Sequence, residues 1–387
     1  MDKSIKVAMF AQNYIPHLGG AERQMAALAP LLTERGVEVS IVTRKSTKGV
    51  PGTEVVDGIN VYRSQNPDIR ALASLLFTLQ SIYRTWRIKP DIVHAHELLS
   101  PTTAALLAKK LYGTPVVAKI LRGGYLGDID KIRNGKMGTK RTRWIAQNMD
   151  RFLAISPEIE NELAHHLQVP ASRIVSIPNG VDLQRYHPVD VSKKVILRQA
   201  KQLPEGPLAL YAGRLSEEKN LDLLISTWPL VRQHVPDAKL IIIGEGNERD
   251  KLGALAGDGV YIKDVEQDLS EIYCAAEVFV LPSRTEGMSN ALLEAMASGC
   301  ACVATRVGAA EQLIEHRENG LLCAVDNADE LAKLIVEAFA NTMSGTSTYG
   351  AFARETVEKY YSLETVADRL VDVYRDVLTK PKTSKQH

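Results

Sequence analysis

The sequence predicts an α/β protein made of two doubly wound parallel sheets, and two observations support this fold class. Short apolar runs rich in β-branched residues alternate with amphipathic helical stretches, which is typical of parallel strands covered by helices on both faces. The alternation pauses once, in a segment rich in turn-forming residues near 178–206, and then begins again, which places a domain boundary near 185–205. A chain of 387 residues is long enough for two such domains, and we predict them at 1–188 and 189–362.

The first domain is predicted from a series of strand and helix signals. Its strands are expected at 5–11, 37–43, 91–97, 115–121 and 151–156, and its helices at 21–36, 101–113 and 157–168. Another apolar segment, 70–87, has basic residues at both ends. We interpret it as an amphipathic helix of the core, with contact to a membrane interface as the alternative.

The second domain repeats the same pattern. Its strands are expected at 208–213, 239–246, 260–265, 277–283 and 301–308, and a helix begins near 220. Ligands of open α/β sheets bind at the carboxyl ends of the strands. The residues that directly follow each strand are therefore the first candidates for a functional site.

Composition excludes several classes of protein. Apolar residues make up 45% and charged residues 24% of the chain, and the net charge of +1 shows none of the basic excess of a nucleic-acid-binding protein. The four cysteines form neither a CxxC pair nor a zinc pattern, and the first residues do not resemble a signal peptide. No stretch approaches the roughly 20 apolar residues that span a bilayer. We expect a cytoplasmic protein with reduced thiols and no nucleic-acid partner.

The junction 281–299, "LPSRTEGMSNALLEAMASG", combines a buried strand, a polar turn and a helix. A helix that begins after Ser289 or Asn290 leaves backbone N–H groups directed at the sheet edge, where they suit an anion or sugar hydroxyls. Carboxylates such as Glu286 and Glu294 accept hydrogen bonds from vicinal hydroxyls. The alternative is that both are solvated surface residues. The amides concerned are those of Gly287, Met288, Ser289 and Asn290.

Three other strand exits carry residues suited to phosphate. Arg214 and Lys219 flank the turn after strand 208–213, and two cations beside a helix N-terminus suit a diphosphate. The pair Gly19–Gly20 opens the first helix and permits close approach of a phosphate, although the chain has no GxGxxG fingerprint there. Gly244 lies at the exit of strand 239–246, at the same level of the second sheet. Each of these sites taken alone is also compatible with an ordinary solvated turn.

Six motifs with a specific order and spacing cover nearly the whole chain. They are "GGAERQ" (19–24), "DIVHAHE" (91–97), "IPNGVDLQRYHP" (177–188), "YAGRLSEEKNLDLLI" (211–225), "LIIIGEGNERDKL" (240–252) and the junction 281–299. Together they resemble the retaining GT-B glycosyltransferases of family 4. The resemblance implies two Rossmann-like domains facing a central cleft, with an N-terminal domain on the acceptor side and a C-terminal domain that binds a nucleotide sugar.

The resemblance also implies roles for the candidate residues of the second domain. Glu286 and Glu294 correspond to the E-x7-E pair, in which Glu286 contacts the donor sugar near its anomeric carbon and Glu294 binds the ribose. Arg214 and Lys219 hold the diphosphate and stabilise its charge as it leaves. The amides of 287–290 hold sugar hydroxyls and phosphate, and Gly244 lies among the donor-binding residues.

Further implied contacts include one departure from the family pattern. Backbone around Val265 meets the base, and Gly19–Gly20 closes over the phosphates from the N-terminal domain. Family members often carry a histidine in the loop after the strand that matches 115–121. Here Arg122 stands about where that histidine is expected, and we assign it to the donor site.

The function predicted from this resemblance is transfer of a hexose, with retention, from a nucleotide diphosphate sugar to a saccharide or lipid-linked acceptor in polysaccharide biosynthesis. UDP-glucose is the preferred donor, and no metal or cofactor is expected. The alternatives are a GDP-mannose-dependent mannosyltransferase, a glycogen-synthase-like enzyme, an inactive sugar-nucleotide-binding scaffold and a nicotinamide-dependent oxidoreductase. The last helix, 363–379, is expected to return to the N-terminal domain, as in the family.

Three remaining features of the first domain admit more than one interpretation. The basic run 131–143 is either a mobile solvated loop or a grip on an anionic acceptor or membrane surface, which leaves peripheral membrane contact open. The string Asp128–Asp130 matches DxD, but we place it in a loop and reject it as a metal site. His94 and His96, near the end of strand 91–97, are candidates for either the cleft or a structural role.

Overall fold

The computed structural model describes residues 4–17, 19–45, 49–124, 127–135, 138–266, 268–342 and 347–379. The chain forms two compact units, one comprising Met1–Asn179 with Leu363–His387 and the other Gly180–Ser362. The crossing after residue 179 lies earlier than the predicted boundary at 188/189. The turn-rich segment belongs to the second unit because Val181 N donates to Tyr361 O at 2.9 Å and Arg354 Nη1 donates to Tyr186 O at 2.6 Å.

The first unit is built on an eight-stranded sheet. Its order is β3-β4-β2-β1-β5-β6-β7-β8, parallel except for the antiparallel pair β3–β4. The strands are β1 (Ile5–Phe10), β2 (Val37–Arg44), β3 (Thr53–Val56), β4 (Ile59–Ser64), β5 (Ile92–His96), β6 (Val116–Ile120), β7 (Arg151–Ala154) and β8 (Ile174–Ser176). The helices are α1 (Gly20–Glu34), α2 (Arg70–Ile88), α3 (Ser100–Tyr112), α4 (Asp128–Arg133), α5 (Gly138–Asn148) and α6 (Pro157–His165).

The second unit holds a six-stranded, fully parallel sheet in the order β11-β10-β9-β12-β13-β14. Its strands are β9 (Leu208–Ala212), β10 (Lys239–Ile243), β11 (Val260–Lys263), β12 (Val278–Leu281), β13 (Ala301–Thr305) and β14 (Leu321–Cys323). The helices are α7 (Val191–Ala200), α8 (Leu221–His234), α9 (Arg249–Leu255), α10 (Ser270–Ala275), α11 (Asn290–Ala297), α12 (Ala310–Leu313), α13 (Ala328–Thr342) and α14 (Thr348–Tyr360). Four central strands, β9, β10, β12 and β13, are almost wholly buried, as their continuous apolar runs predict.

The last helix, α15 (Leu363–Thr379), packs in the first unit. Its buried residues Val366, Leu370 and Tyr374 share one apolar core with Met25 and Leu28 of α1. Spacings of four residues along α15 place these side chains on one face of the helix. Helix α15 therefore buries its apolar face on the first unit, although it follows the second unit in the sequence.

The elements differ from the sequence-based expectations in several places. The hairpin β3–β4 and the edge strands β8 and β14 were not predicted. The DxD string at Asp128 begins helix α4 rather than lying in a loop. Of the basic run 131–143, residues 131–133 belong to α4 and residues 138–143 to α5. Arg141 fixes α5 to α3 because Nη2 donates to Leu99 O at 3.1 Å and to Thr103 Oγ1 at 3.0 Å.

Two further predictions concern segment 70–87 and the basic and polar segments at 131–143 and after residue 379. Segment 70–87 is helical as expected, but its large apolar side chains do not all enter the core. Lys136 of the basic run and the polar tail from residue 380 lie outside the described residues. Among the helices of the described ranges, none combines the length and apolar character required to span a membrane.

Candidate active site

The structure brings together two of the predicted catalytic residues at adjacent strand exits of the second sheet. Lys219, in a 3-10 turn after β9, donates from Nζ to Oε1 of Glu286 at 2.5 Å. Ser283 Oγ donates to the same oxygen at 2.8 Å. The Lys219 and Glu286 side chains are only 14% and 11% exposed, so water screens their attraction weakly.

The two turns that carry this ion pair are tied to each other. The backbone N–H of Arg284 donates to Glu218 O at 2.8 Å, and its Nε donates to Asp326 Oδ1 at 2.9 Å. Asn220, which is buried and has a left-handed φ of 57°, donates from Nδ2 to the same Asp326 oxygen at 3.0 Å. Asp326 therefore links the residue after Lys219 to the turn that precedes Glu286.

The turn before α11 is held in place by its cap and by a neighbouring loop. The Leu292 N–H donates to the Ser289 hydroxyl at 3.2 Å, which makes Ser289 the N-cap. The carbonyl of Gly287 accepts from Ala309 N at 2.8 Å. Gly308 has a φ of +57°, and a Cβ there would overlap the Gly287 carbonyl, so the loop approaches this closely only with glycine.

The other predicted residues of this junction lie on or beside α11. Asn290 is its first residue, Met288 is buried before it, and Glu294 lies one turn further along the helix. Burial, followed by the negative charge of Glu294, raises the pKa of Tyr273 well above its usual value. Glu294 therefore lies close to the buried phenol of Tyr273, whereas Glu286 contacts Lys219.

Arg214 extends from the exit of β9. It is exposed, and its carbonyl accepts from the hydroxyl of buried Tyr211 at 2.9 Å. Burial, and then the charge of Glu286, raises the pKa of Tyr211 well above its usual value. Tyr211 consequently stays protonated, donates to the Arg214 backbone and leaves the guanidinium accessible to a ligand.

Close backbone packing explains why glycine occupies positions 244 and 246. A Cβ on Gly244 would overlap the Gly213 carbonyl, and a Cβ on Gly246 would overlap the carbonyl of Leu215. The backbone after β10 thus lies directly against the backbone after β9. Gly244 contributes to the site at least by allowing this approach.

Val265, the residue predicted to meet the base through its backbone, follows β11 and is 43% exposed. The neighbouring Arg249 connects this loop to the exit of β10. Its Nη2 lies 2.6 Å from Asp264 Oδ1, and Nη1 donates to Gly244 O at 3.3 Å. These contacts hold the carboxyl ends of β10 and β11 side by side.

The predicted residues of the first unit also lie after strands. Gly19 is the N-cap position of α1, Gly20 is its first residue, and the Gly19 carbonyl accepts from Arg23 N at 3.1 Å. Arg122 lies after β6 and is half-buried, and its carbonyl accepts from Asp128 N at 3.2 Å. Burial raises the pKa of Asp128, and the charge of Arg122 is one of several that oppose this rise.

Two family models match the two halves of the chain. The model described as "Glycosyltransferase Family 4" matches residues 18–185, and "Glycosyl transferases group 1" matches residues 206–341. The D-inositol 3-phosphate glycosyltransferase of Pseudarthrobacter chlorophenolicus is 30% identical over 82% of this chain and 82% of its own length. The chain belongs to the group 1, family 4 glycosyltransferases.

Other relatives of this glycosyltransferase are named for different sugars. The sulfoquinovosyl transferase SQD2 of Arabidopsis thaliana is 27% identical over 93% of this chain and 71% of its own. A GDP-mannose-dependent alpha-mannosyltransferase of Mycolicibacterium smegmatis is 26% identical over 97% of this chain and 98% of its own. Membership of the family therefore leaves the donor to be determined.

The glycosyltransferase has the GT-B fold. Sucrose-phosphate synthase from Thermosynechococcus elongatus matches with a TM-score of 0.83 and 22% identity, over 96% of this chain and 99% of its own. Anabaena HepE in complex with UDP and glucose matches with a TM-score of 0.79 and 19% identity, over 96% of this chain and 100% of its own. The expectation of two parallel-sheet α/β domains of GT-B type is confirmed.

Sequence reasoning missed several polar residues of the glycosyltransferase. In the second unit these are Ser283 and Asp326, which directly contact predicted residues or their turns. In the first unit, Gln12 Nε2 donates to Glu97 Oε2 at 2.5 Å, and both residues follow strands at one sheet edge. The strand-exit rule that selected Arg214 would have selected these residues as well.

Glu97 combines burial with an unusual backbone. Its φ is +79°, and burial, followed by the charge of Asp128, raises its pKa to about 7. Between pH 4.5 and 7 the folded protein therefore binds this proton more tightly than the unfolded chain does. The stability of the folded state falls as pH rises through that window, and the full cost of the buried charge is present above pH 7.

We expect Glu97→Gln to stabilise the glycosyltransferase at pH 8 by about 1–3 kcal/mol, since a neutral amide carries no such cost. At pH 4.5 the gain should be nearly absent. Thermal unfolding at both pH values measures the difference, and Glu318→Gln, on an exposed carboxylate, is the control. Equal effects of Glu97→Gln at both pH values would contradict the assignment of a raised pKa.

The surroundings of His94 and His96 favour a structural role for both histidines. Both are buried, their rings stack with centroids 4.3 Å apart, and His94 Nδ1 lies 2.7 Å from the Tyr374 hydroxyl of α15. Burial lowers the pKa of both, that of His96 to about 3, so both rings are neutral near pH 7. In the described ranges no group of three or more His, Cys, Asp or Glu side chains is arranged to hold a metal ion.

Proposed function

We propose that this glycosyltransferase transfers a hexose from a nucleotide diphosphate sugar, with UDP-glucose as the preferred donor, and retains the anomeric configuration. The acceptor is a saccharide or a lipid-linked saccharide, and neither a metal ion nor a cofactor takes part. The observation that carries the proposal is the largely buried Lys219–Glu286 ion pair beside the N-terminus of α11.

The pair suits a donor because its two groups have separate tasks. Lys219 Nζ and Ser283 Oγ both donate to Oε1 of Glu286. In our proposal Oε2 accepts from a hydroxyl of the donor sugar, which orients the anomeric carbon. Lys219 Nζ carries two further N–H groups, and these donate to the diphosphate as negative charge develops on it.

The proposed reaction needs positioning more than a dedicated base. The bond from the anomeric carbon to the diphosphate oxygen breaks, and a bond to the acceptor hydroxyl oxygen forms on the same face. The acceptor proton passes to the departing phosphate oxygen. Arg214, Lys219 and the amides before α11 stabilise the leaving group, and Glu286 holds the sugar within reach.

Among the alternatives, a GDP-mannose-dependent mannosyltransferase is the second candidate, because a relative with that name covers almost the whole chain. An inactive scaffold is less favoured, since Glu286, Lys219 and Arg214 are all present at one sheet edge. Val265 lies in an exposed loop and is assigned to the base through its backbone alone, so the base has to be identified by experiment.

Isothermal titration calorimetry with UDP, GDP, ADP and NAD in buffer containing EDTA tests the donor and the absence of a metal. We expect UDP to bind, and Glu294→Ala to weaken that binding about 10- to 100-fold by removing the carboxylate assigned to the ribose. Glu318→Ala, on an exposed carboxylate of the same unit, should bind UDP like the wild type.

The other outcomes separate the alternatives. Preferential binding of GDP would replace UDP-glucose by a GDP-sugar. Binding that requires a divalent cation would contradict the metal-independent mechanism, and binding of NAD alone would indicate an oxidoreductase. Failure of all four to bind would contradict the proposed donor site. The anomeric configuration of the product, determined by NMR from an α-linked donor, tests retention.

A further inference from the structure

Helix α2 of the first unit directs large apolar side chains towards solvent. Leu72, Leu75, Leu79, Tyr83 and Trp86 are each between 41% and 55% exposed. Spacings of three and four residues place all five on one side of the helix. They form a continuous apolar stripe about 20 Å long, which we call the α2 stripe.

The opposite face of α2, which packs against the unit, carries one large apolar side chain, Phe77, and otherwise smaller or more polar ones. Its buried residues are Ala73, Phe77, Ser81 and Thr85. Ser81 and Thr85 satisfy their hydroxyls by donating to backbone carbonyls four residues earlier. The polarity of α2 is therefore reversed relative to an ordinary surface helix, whose apolar stripe faces the core.

The charges within α2 are of one sign. No charged residue occurs between positions 71 and 83, and no acidic residue occurs between 69 and 90. Exposed cations lie at both ends of the helix, with Arg70 at its start and Arg87 and Lys89 at its end. Asp68, just before the helix, is the nearest exposed carboxylate in sequence.

The apolar surface continues beyond the end of α2. A cavity of about 440 Å³ is lined there by Trp86, Lys89, Asp91, Tyr112 and Leu378, among others. Tyr112 and Leu378 are themselves 43% and 40% exposed. Aromatic rings next to cations at the edge of an apolar stripe suit the boundary between acyl chains and lipid headgroups.

Two other occupants fit this surface poorly. A second copy of the chain, paired through α2 in either direction, would bring cationic helix ends against one another, and no acid within α2 would offset this repulsion. The segment after Thr379, "KPKTSKQH", has three lysines and no large apolar side chain with which to cover the α2 stripe. An anionic bilayer fits this surface, since its acyl layer accepts the apolar stripe and its negative charge attracts the cationic helix ends.

We propose that the α2 stripe docks the protein on the surface of a membrane that contains anionic lipid, with α2 lying in the plane of the interface. The docking is independent of the donor proposed above. The start of α2 follows β4 at the carboxyl edge of the first sheet. The end of the helix leads into β5 at the opposite edge, so the docked membrane extends along this face of the first unit from the edge that carries Gln12 and Glu97 to the amino edge.

Flotation of the full-length protein with lipid vesicles tests this docking. Vesicles of phosphatidylcholine mixed with phosphatidylglycerol should bind the wild type, and vesicles of phosphatidylcholine alone should bind it at least about 10-fold more weakly. The double variant Leu75→Gln/Leu79→Gln should lose about 10-fold or more in affinity for the anionic vesicles. Arg87→Gln/Lys89→Gln should lose affinity and also reduce its dependence on salt.

Matched controls lie on exposed positions of the other unit. Leu255→Gln and Lys333→Gln should bind the anionic vesicles like the wild type. UDP binding by Leu75→Gln/Leu79→Gln should remain unchanged, which separates a failure of docking from a failure of the donor site. Absence of wild-type binding to anionic vesicles would overturn the proposal, as would unchanged binding by the double leucine variant. Self-association that the leucine substitutions abolish would instead identify a second copy as the occupant.

Discussion

Lys219→Ala is expected to lower kcat/KM for the donor by about 10²- to 10³-fold and to weaken nucleotide binding at the same time. Its Nζ is the cation assigned to the diphosphate both in the bound donor and in the transition state, so ground-state and transition-state binding are both lost. The substitution also removes the 2.5 Å partner of Glu286 and leaves a largely buried carboxylate without its ion pair.

A double-mutant cycle distinguishes a catalytic from a merely structural pair. Glu286→Ala alone should mainly lower kcat, because Glu286 is assigned to the sugar rather than to the nucleotide. Because the two side chains are in contact, Lys219→Ala/Glu286→Ala should cost less activity than the sum of the single changes. Lys251→Ala, on a half-exposed lysine of α9, is the matched control. Wild-type UDP binding and turnover in Lys219→Ala would remove Lys219 from the site.

The strands that hold this site were predictable because their apolar runs are long and continuous. β9, β10, β12 and β13 are buried on both faces, and such strands differ clearly in sequence from the amphipathic helices between them. Residues at their carboxyl ends follow from the geometry of a parallel sheet. Arg214, Lys219 and Glu286 were therefore identifiable before any contact between them was known.

The contacts between these residues were not predictable from spacing. Lys219 and Glu286 are separated by more than sixty positions, and their meeting depends on β9 and β12 being neighbours, which the order of strands along the chain does not reveal. The same applies to Asp326, whose partners Asn220 and Arg284 come from two other turns. The reversed polarity of α2 was not predicted, for a different reason. Periodicity finds the apolar side of a helix but does not say which side faces the core.

Gly244→Ala is expected to destabilise the second unit by about 2–4 kcal/mol. The added Cβ would overlap the carbonyl of Gly213, a backbone atom that moves only if the exits of β9 and β10 separate. Urea unfolding followed by circular dichroism measures the loss. Gly253→Ala is the control, and its effect on stability should have the opposite sign. Nothing lies within 4 Å of the Cβ it would add, and alanine is favoured in the exposed helix α9. This variant should therefore stabilise the unit by about 0.5–1 kcal/mol.

The same substitution separates the packing role of Gly244 from its predicted role in donor binding. Gly213 immediately precedes Arg214, so displacing its carbonyl moves the cation assigned to the diphosphate. Nucleotide affinity and stability should therefore fall together in Gly244→Ala, and Gly246→Ala should behave alike because its Cβ would overlap the carbonyl of Leu215. Loss of affinity at unchanged stability would mean that Gly244 contacts the donor directly. Unchanged values of both would contradict the close approach of the two strand exits.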